Sequence, residues 1–180
     1  MRDFLDKKIN WIVVLTAVVV FSLFIIVILP NVSTYTKKAV GDLGSPDSSF
    51  LYTNNDLYQF AASYGEVGRR NYIVLRWTFD VVWPLAYLFF LLSITIQLSK
   101  TFTSKWLTQL YWLAIIATGF DFLENSLVTV YMLVFPANLP WLGAMASIIT
   151  LLKWISLYLA FAAMLVLGIV RFAYCFIKTK

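Results

Sequence analysis

Four long hydrophobic stretches, separated by shorter polar ones, account for most of the chain. We number them segments one to four, and they cover residues 11–29, about 72–98, about 106–135 and about 141–172. An α-helix rises ~1.5 Å per residue, so each stretch is long enough to cross a hydrocarbon core of ~30 Å. The pattern predicts an all-α integral membrane protein, a four-transmembrane-helix up-down bundle that forms a single membrane domain over residues 1–180.

Prolines and a short connection indicate where these helices end, bend and turn. Segment one is followed by Pro30, which we expect to end the helix. Its apolar run is longer than the ~7–15 residues of a signal-peptide core, so we expect a retained transmembrane helix. Pro84 lies inside segment two and predicts a kink just beyond Asp80. A turn of about five residues joins segments three and four, which predicts that they are antiparallel neighbours.

Residues 31–71 form the one long connection, about 40 residues, and we expect it to be extracytoplasmic and to contain short helices. A Ser-Pro pair beginning at Ser45 resembles one helix start. Asn54 or Asn55 can cap a second helix, which Gly65 would end. Spacings of i, i+3, i+4 and i+7 give that helix one apolar face: Leu57, Phe60, Ala61 and Tyr64. This face is expected to pack on the membrane surface or to cover the bundle as a lid.

The distribution of Lys and Arg in the connections predicts the orientation of the bundle. With the N-terminus in the cytoplasm, the cytoplasmic side holds eight of them: Arg2, Lys7, Lys8, Lys100, Lys105, Arg171, Lys178 and Lys180. The opposite side then holds four: Lys37, Lys38, Arg69 and Arg70. Because cytoplasmic loops are enriched in Lys and Arg, we expect both termini in the cytoplasm, and we expect the plasma membrane as the location.

The composition supports the same class of protein and excludes several chemistries. Hydrophobic residues make up 61% and charged residues 13% of the chain, against ~45–50% and ~25% in soluble domains. The net charge of +5 is spread along the chain without a basic stripe, so we expect no nucleic-acid partner. Because the chain has no histidine and only Cys175, a His-ligated metal, a His-held haem, a Ser–His nucleophile and an intrachain disulfide are excluded. The composition does not exclude a carboxylate site for a hard cation, but we expect no cofactor and no bound metal.

Five ionisable side chains lie inside the apolar segments: Arg76, Asp80, Asp121, Glu124 and Lys153. A charge at the bilayer centre costs at least ~2.5–3.5 kcal/mol, so such groups normally pair or face water. Arg76 and Asp80 are four residues apart on one helix face, and Lys153 lies at a depth similar to that of Asp121 and Glu124. The sequence therefore predicts a buried charged cluster, in which Lys153 pairs with Glu124 or Asp121.

Asp121 and Glu124, three residues apart on one helix, are candidate catalytic residues. Two carboxyl groups this close in a poorly solvated interior do not both ionise easily, so we expect one of them to hold a proton. Such a group suits general acid–base chemistry or proton coupling. Candidate ligand-binding residues lie on the neighbouring faces: Arg76, Asp80, Trp83, Tyr87, Asn125 and Lys153.

Aromatic side chains interleaved with these charges favour a site that binds, or acts on, a lipid or other lipophilic small molecule. A proton- or ion-coupled transporter also fits, as does an accessory subunit whose charges pair with the helices of a larger membrane complex. Small residues on segment four are suited to a homo-oligomer or partner-subunit contact: Gly143, Ala144, Ala146 and Ser147. A structural role is the remaining alternative, in which the charges only hold the helices together. The residues alone are compatible with an enzyme and with a binding protein.

Overall fold

The computed structural model describes residues 2–40, 45–46, 49–102, 104 and 106–178, and its regular elements there are all helices. Two of the lysines counted above, Lys105 and Lys180, and part of the helix start predicted at Ser45 lie outside the described residues. The α-helices are, in chain order, α1 (Arg2–Lys8), α2 (Trp11–Leu23), α3 (Leu29–Val40), α4 (Asn54–Arg76), α5 (Phe79–Ser99), α6 (Trp112–Val134) and α7 (Pro140–Lys178). A π-helical turn, Phe24–Ile28, joins α2 to α3, and a 3-10 turn, Leu107–Gln109, precedes α6.

Four helical stretches are long and apolar enough to cross a membrane: Trp11–Lys38, Asn54–Ser99, Trp112–Val134 and Pro140–Tyr174. The predicted all-helical fold, with four stretches long and apolar enough to cross a membrane, is therefore confirmed. The first two stretches are longer than the hydrophobic pattern indicates, because helical structure continues from both sides into the connection at residues 31–71.

The first span continues through Pro30, so the predicted helix end at this residue is wrong. The π-helical turn just before it explains how the proline is accommodated. In this turn the main-chain N–H of Leu29 donates to the carbonyl of Phe24, five residues back instead of four. The regular α-helical hydrogen bonds are therefore already interrupted where Pro30, which has no main-chain N–H, follows. The side chain of Asn31 donates to the carbonyl of Val27 at 2.7 Å, which satisfies an acceptor in the same turn.

α4 begins with a capping box and bends at a glycine. The hydroxyl of Thr53 accepts the main-chain N–H of Asp56 at 3.2 Å, and the Asp56 carboxylate accepts that of Thr53 at 2.8 Å. Both helix-end donors are thereby satisfied. Gly65 has a φ of 62°, a left-handed conformation that glycine adopts without strain, and it breaks the helical geometry inside α4. The helix expected to end at Gly65 resumes beyond it and continues to Arg76.

The break between α4 and α5 lies before Asp80, whereas the sequence placed a kink beyond it. α4 ends at Arg76, and Thr78 has non-helical angles of φ −120° and ψ −81°. α5 then runs through Pro84. A proline has no main-chain N–H, so the carbonyl four residues earlier, that of Asp80, loses its helical donor. This acceptor is used by the site described below.

α6 and α7 are joined by a short turn at residues 135–139 and make the most extensive helix contact of the bundle. α5 packs on both, α2 lies against α5, and α4 contacts α3, α6 and α7. We call the end of the bundle with the α6–α7 turn the turn end. A buried apolar cluster lies there, and its members include Leu57, Ala61, Tyr72, Tyr131 and Leu142. Because Leu57 and Ala61 belong to this cluster, the first turns of α4 cover the turn end.

The small residues of segment four are mostly used inside the chain. Gly143 lies against the Asn54 side chain so closely that a Cβ would not fit without movement. Ala146 is fully buried, and the hydroxyl of Ser147 donates to the main-chain oxygen of Tyr52. The exposed apolar side chains of α7 are instead larger ones, such as Ile148, Ile155 and Leu159.

Candidate functional site

Lys153, Glu124 and Asp121 form the centre of a buried charged cluster between α6 and α7. The ammonium of Lys153 is 2.5 Å from Oε2 of Glu124 and 3.9 Å from Oδ1 of Asp121. The three residues are 5%, 0% and 7% exposed, respectively. Glu124 lies ~15 Å along α6 from Val134, which is about half the thickness of a ~30 Å hydrocarbon core. The predicted buried cluster of these three residues is confirmed, and Glu124 is the closer partner of Lys153.

The second oxygen of Glu124 contacts the hydroxyl of Thr150, which in turn contacts that of Tyr52, and neither residue was among the candidate site residues. Thr150 donates its hydroxyl to Oε1 of Glu124 at 2.7 Å. The Thr150 oxygen is also 3.2 Å from the hydroxyl of Tyr52, which reaches it from the connection before α4. Thr150 could have been found from its position three residues before Lys153 on the same helix face. Tyr52 carries no comparable signal, because it lies in a connection without periodic pattern.

Arg76 and Asp80 pair across the helix break. Nη1 of Arg76 is 3.2 Å from Oδ2 of Asp80 and donates to Oδ1 of Asn125 at 3.3 Å. Its Nη2 donates to the hydroxyl of Ser45 at 3.2 Å, so Ser45, which precedes α4, also reaches this pair. The sequence placed Arg76 and Asp80 on one continuous helix face, but Arg76 is the last residue of α4 and Asp80 lies in the first turn of α5.

Asn125 ties this pair to α6 through the carbonyl that Pro84 releases. Its amide nitrogen donates to the main-chain oxygen of Asp80 at 3.0 Å, while its amide oxygen accepts from Arg76. The side chain is fully buried, where an unpaired amide would cost free energy. Asn125 therefore positions the end of α4 and the start of α5 against α6.

Tyr87 and Trp83 connect the charges to an aromatic wall on α5. The hydroxyl of Tyr87 donates to Oδ2 of Asp121 at 2.9 Å. The ring of Trp83 lies edge-on to Tyr87 at 5.7 Å and stacks on Phe21 and Phe24 of the first span, also at 5.7 Å. Aromatic contacts of this geometry hold the first span on the side of α5 that faces the charges.

A cavity of about 190 Å³ lies beside the charged cluster; its lining residues are Leu29, Arg76, Phe79, Asp80, Trp83, Tyr87, Asp121, Lys153, Trp154 and Leu157. Six of the eight sequence-predicted site residues are therefore on its wall, whereas Glu124 and Asn125 lie behind it. The indole nitrogen of Trp154 is buried and, in the part of the chain that the structure describes, has no hydrogen-bond acceptor. The wall thus offers a hydrogen-bond donor, two cations and two acids within one small volume.

The charges of the site do not balance. Two cations, Arg76 and Lys153, stand against three carboxyl groups, Asp80, Asp121 and Glu124. The two shorter ion-pair contacts join Arg76 to Asp80 and Lys153 to Glu124. Asp121 is left with a longer contact to Lys153, at 3.9 Å, and with the hydrogen bond that it accepts from Tyr87. Asp121 is therefore the carboxyl group of the cavity wall that is best placed to hold a proton or to meet a ligand.

Among the described residues, no group of three or more Cys, Asp or Glu side chains is arranged to hold a metal ion.

Comparison of the chain with protein-family models, curated proteins and solved structures returns no match. The chemistry of the site therefore has to be argued from its own geometry.

Proposed function

We propose that this chain is a multi-pass membrane protein that binds, or acts on, a lipid or other lipophilic small molecule at the charged cluster. The observation that carries the proposal is the cavity of about 190 Å³, which combines aromatic and aliphatic walls with Arg76, Asp121 and Lys153. A mostly apolar cavity with a few convergent polar groups is the usual form of a ligand site. An ion-pair network that only held the helices together would not need such a space.

The size of the cavity limits what enters it. Ligand pockets that enclose a whole small molecule measure ~300–1,000 Å³, so about 190 Å³ fits a polar head group or one end of a ligand. Leu29 of the first span and Leu157 of α7 line the cavity on its apolar side. We infer that the apolar part of the ligand extends between these helices into the bilayer, while its polar end meets Asp121 and Lys153. The N–H of Trp154, which has no acceptor among the described residues, supplies a donor for an oxygen of the ligand.

If the ligand is transformed, Asp121 is the general acid or base, because it lies on the cavity wall and Tyr87 orients its carboxyl group. Glu124 lies behind the wall and contacts Lys153 at 2.5 Å. It therefore acts through Lys153 and is a positioning residue in this scheme. Arg76 and Lys153 hold any anionic group of the ligand.

We also propose an orientation of the bundle in the membrane and a location for it. The excess of Lys and Arg near the two termini and after α5 favours cytoplasmic termini, and it places the turn end of the bundle on the extracytoplasmic side of the plasma membrane. Membrane lipids are then the partners within reach of the cavity. A second subunit, either another copy or a different protein, would dock on the exposed apolar side of α7.

Native mass spectrometry of protein purified gently into nanodiscs tests the ligand. We expect a lipid or other amphiphile of defined mass on the wild-type protein. Trp154→Phe, which removes only the indole donor, should retain less of it. Trp106→Phe is the matched control, since Trp106 is 85% exposed and does not line the cavity. A wild-type protein without any bound amphiphile would contradict the proposal.

A proton- or ion-coupled transporter is the second candidate. The break at Trp77 and Thr78 favours it, because discontinuous helices beside buried charges are typical of transporter binding sites. A flux assay in proteoliposomes separates the two functions. Transport that disappears in Asp121→Asn would favour the transporter, and a bound lipophile without flux would favour the binding protein or enzyme.

A further inference from the structure

We propose that two buried hydroxyl groups carry protons from the turn end of the bundle to Glu124, along the path from Tyr52 through Thr150. The path begins at a second cavity and ends beside the first. Neither hydroxyl belongs to the residues that bind the ligand. The proposal therefore adds a proton-delivery route to the site, and its first step is independent of any ligand.

The second cavity supplies the entrance. It measures about 350 Å³ and is lined by Ser49, Leu51, Tyr52, Asp56, Gln59, Phe60 and Ser63. Asp56, Gln59 and Ser63 are exposed, so water reaches the cavity, whereas Tyr52, which also lines it, is only 5% exposed. A cavity of this size with exposed polar side chains at its mouth has room for several waters.

The hydroxyl groups are in hydrogen-bond contact from this wall to the buried acid. The Tyr52 oxygen is 3.2 Å from the Thr150 oxygen, and Thr150 is 2.7 Å from Oε1 of Glu124. A threonine hydroxyl has a single hydrogen. The Thr150 hydroxyl is in donor geometry to both the Tyr52 oxygen and Glu124. When it donates its one hydrogen to Glu124 at the shorter distance, its oxygen is available to accept the hydrogen of Tyr52, and both donors then point towards the acid.

The elements that carry the path are held in place. Thr150 is fully buried on α7, and its hydroxyl is 2.9 Å from the carbonyl of Ala146, to which it donates when it does not donate to Glu124. The main-chain oxygen of Tyr52 accepts the hydroxyl of Ser147 on the same helix. These contacts keep Tyr52 beside α7, so the three oxygens stay within reach of one another.

The transfer moves one proton and changes one charge. A hydronium ion that enters the cavity from acidified solvent gives a proton towards the Tyr52 oxygen and is left as water. Tyr52 passes its own proton to Thr150, and Thr150 passes its own to Oε1 of Glu124. Each hydroxyl gains one hydrogen and releases one, so neither is left charged. The net result is that the Glu124 carboxylate becomes a carboxylic acid.

This change would shift the ion pair of Lys153. A neutral Glu124 no longer holds the ammonium, and Asp121 on the wall of the first cavity is 3.9 Å away. The titratable and charged groups around Glu124 come from each helix packed on α6 and from the connection: Tyr52, Arg76, Asp80, Tyr87, Asp121 and Lys153. Arrival of a proton thus transfers positive charge towards the ligand, a consequence that rests on the proposed function.

Time-resolved infrared spectroscopy after rapid acidification of the protein in nanodiscs tests the path. The carbonyl band of protonated Glu124 is identified by its loss in Glu124→Gln. A positioned proton-transfer group contributes ~10²–10⁴-fold, so we expect Thr150→Val and Tyr52→Phe to slow, by at least ~10-fold, the rate at which this band approaches its own final size. Thr150→Ser should restore the rate, and Tyr58→Phe, which alters a tyrosine outside the path, should leave it unchanged.

Two outcomes would overturn the proposal. The first is a band that appears in Thr150→Val and Tyr52→Phe as fast as in the wild-type protein. The second is the absence of any Glu124-dependent band after acidification. Both are independent of the mass-spectrometric test, because protonation of Glu124 is measured without a ligand.

Discussion

Asn125 donates its side-chain amide to the main-chain oxygen of Asp80, 3.0 Å away. Pro84 lies four residues after Asp80 and has no N–H to offer that oxygen, so a residue of α6 replaces the missing helical donor. The same amide accepts a hydrogen bond from Arg76 at 3.3 Å. One buried asparagine thereby fixes the helix break, the ion pair beside it and their distance from the acids of α6.

A double-mutant cycle tests the relationship of Asn125 and Pro84. Asn125→Leu should lower the free energy of unfolding by ~1–3 kcal/mol, because the Asp80 carbonyl is left buried without a donor. In the background of Pro84→Ala, position 84 regains an N–H for this carbonyl, so Asn125→Leu should cost less. Asn125→Leu also removes the hydrogen bond from Arg76, but it does so in both backgrounds, so this contribution cancels when the two losses of stability are subtracted. Equal losses in the two backgrounds, measured by equilibrium unfolding in mixed micelles, would show that Pro84 and Asn125 are not coupled.

Replacement of Lys153 should strongly destabilise the bundle. Lys153→Met leaves Glu124 as a buried carboxylate without its cation, and removal of one partner of such a pair typically costs ~3–5 kcal/mol. The double variant Lys153→Met with Glu124→Gln should recover part of the loss, since no charge is then left unpaired. Lys37→Met is the control, because Lys37 is exposed. Unchanged thermal stability of Lys153→Met would exclude a buried ion pair.

The two acids of α6 should respond differently to neutralisation. Glu124→Gln removes the closer partner of Lys153 and should reduce stability, whereas Asp121→Asn keeps the 2.5 Å pair and should leave folding nearly intact. Asp121→Asn should instead abolish ligand retention or any proton-dependent activity. Thermal unfolding, followed by native mass spectrometry on the same samples, measures both effects. A larger loss of stability in Asp121→Asn than in Glu124→Gln would reverse the assignment.

Cysteine labelling tests the proposed orientation. In the background of Cys175→Ser, single cysteines are placed at Lys38, at the end of the first candidate span, and at Lys100, just after α5. With cytoplasmic termini, a membrane-impermeant reagent added outside intact cells should label position 38 and not position 100. Labelling of both positions from the same side would rule out the topology.

Local sequence was sufficient for the class of protein and for the existence of the charged cluster. Hydrophobicity summed over a window of ~20 residues identifies a spanning helix without knowledge of its neighbours. The cost of an isolated charge in an apolar helix likewise predicts that Lys153 meets an acid. Local rules failed at Pro30, because a π-helical turn displaced the hydrogen-bond ladder before the proline was reached.

The pairing within the cluster and the cavity beside it were decided only by the tertiary structure. Glu124 and Asp121 are only three residues apart on α6, so the sequence is compatible with either acid as the closer partner of Lys153. Which acid is closer depends on how α6 and α7 are rotated against each other. Tyr52 reaches Thr150 across 98 residues of sequence, which no periodic pattern can indicate. The chain by itself therefore determined which side chains must be shielded from lipid, because that depends on each residue and its helix. Which of them meet, and what space they leave, follows from the packing of separate helices, since such contacts arise only between parts of the chain that are distant in sequence.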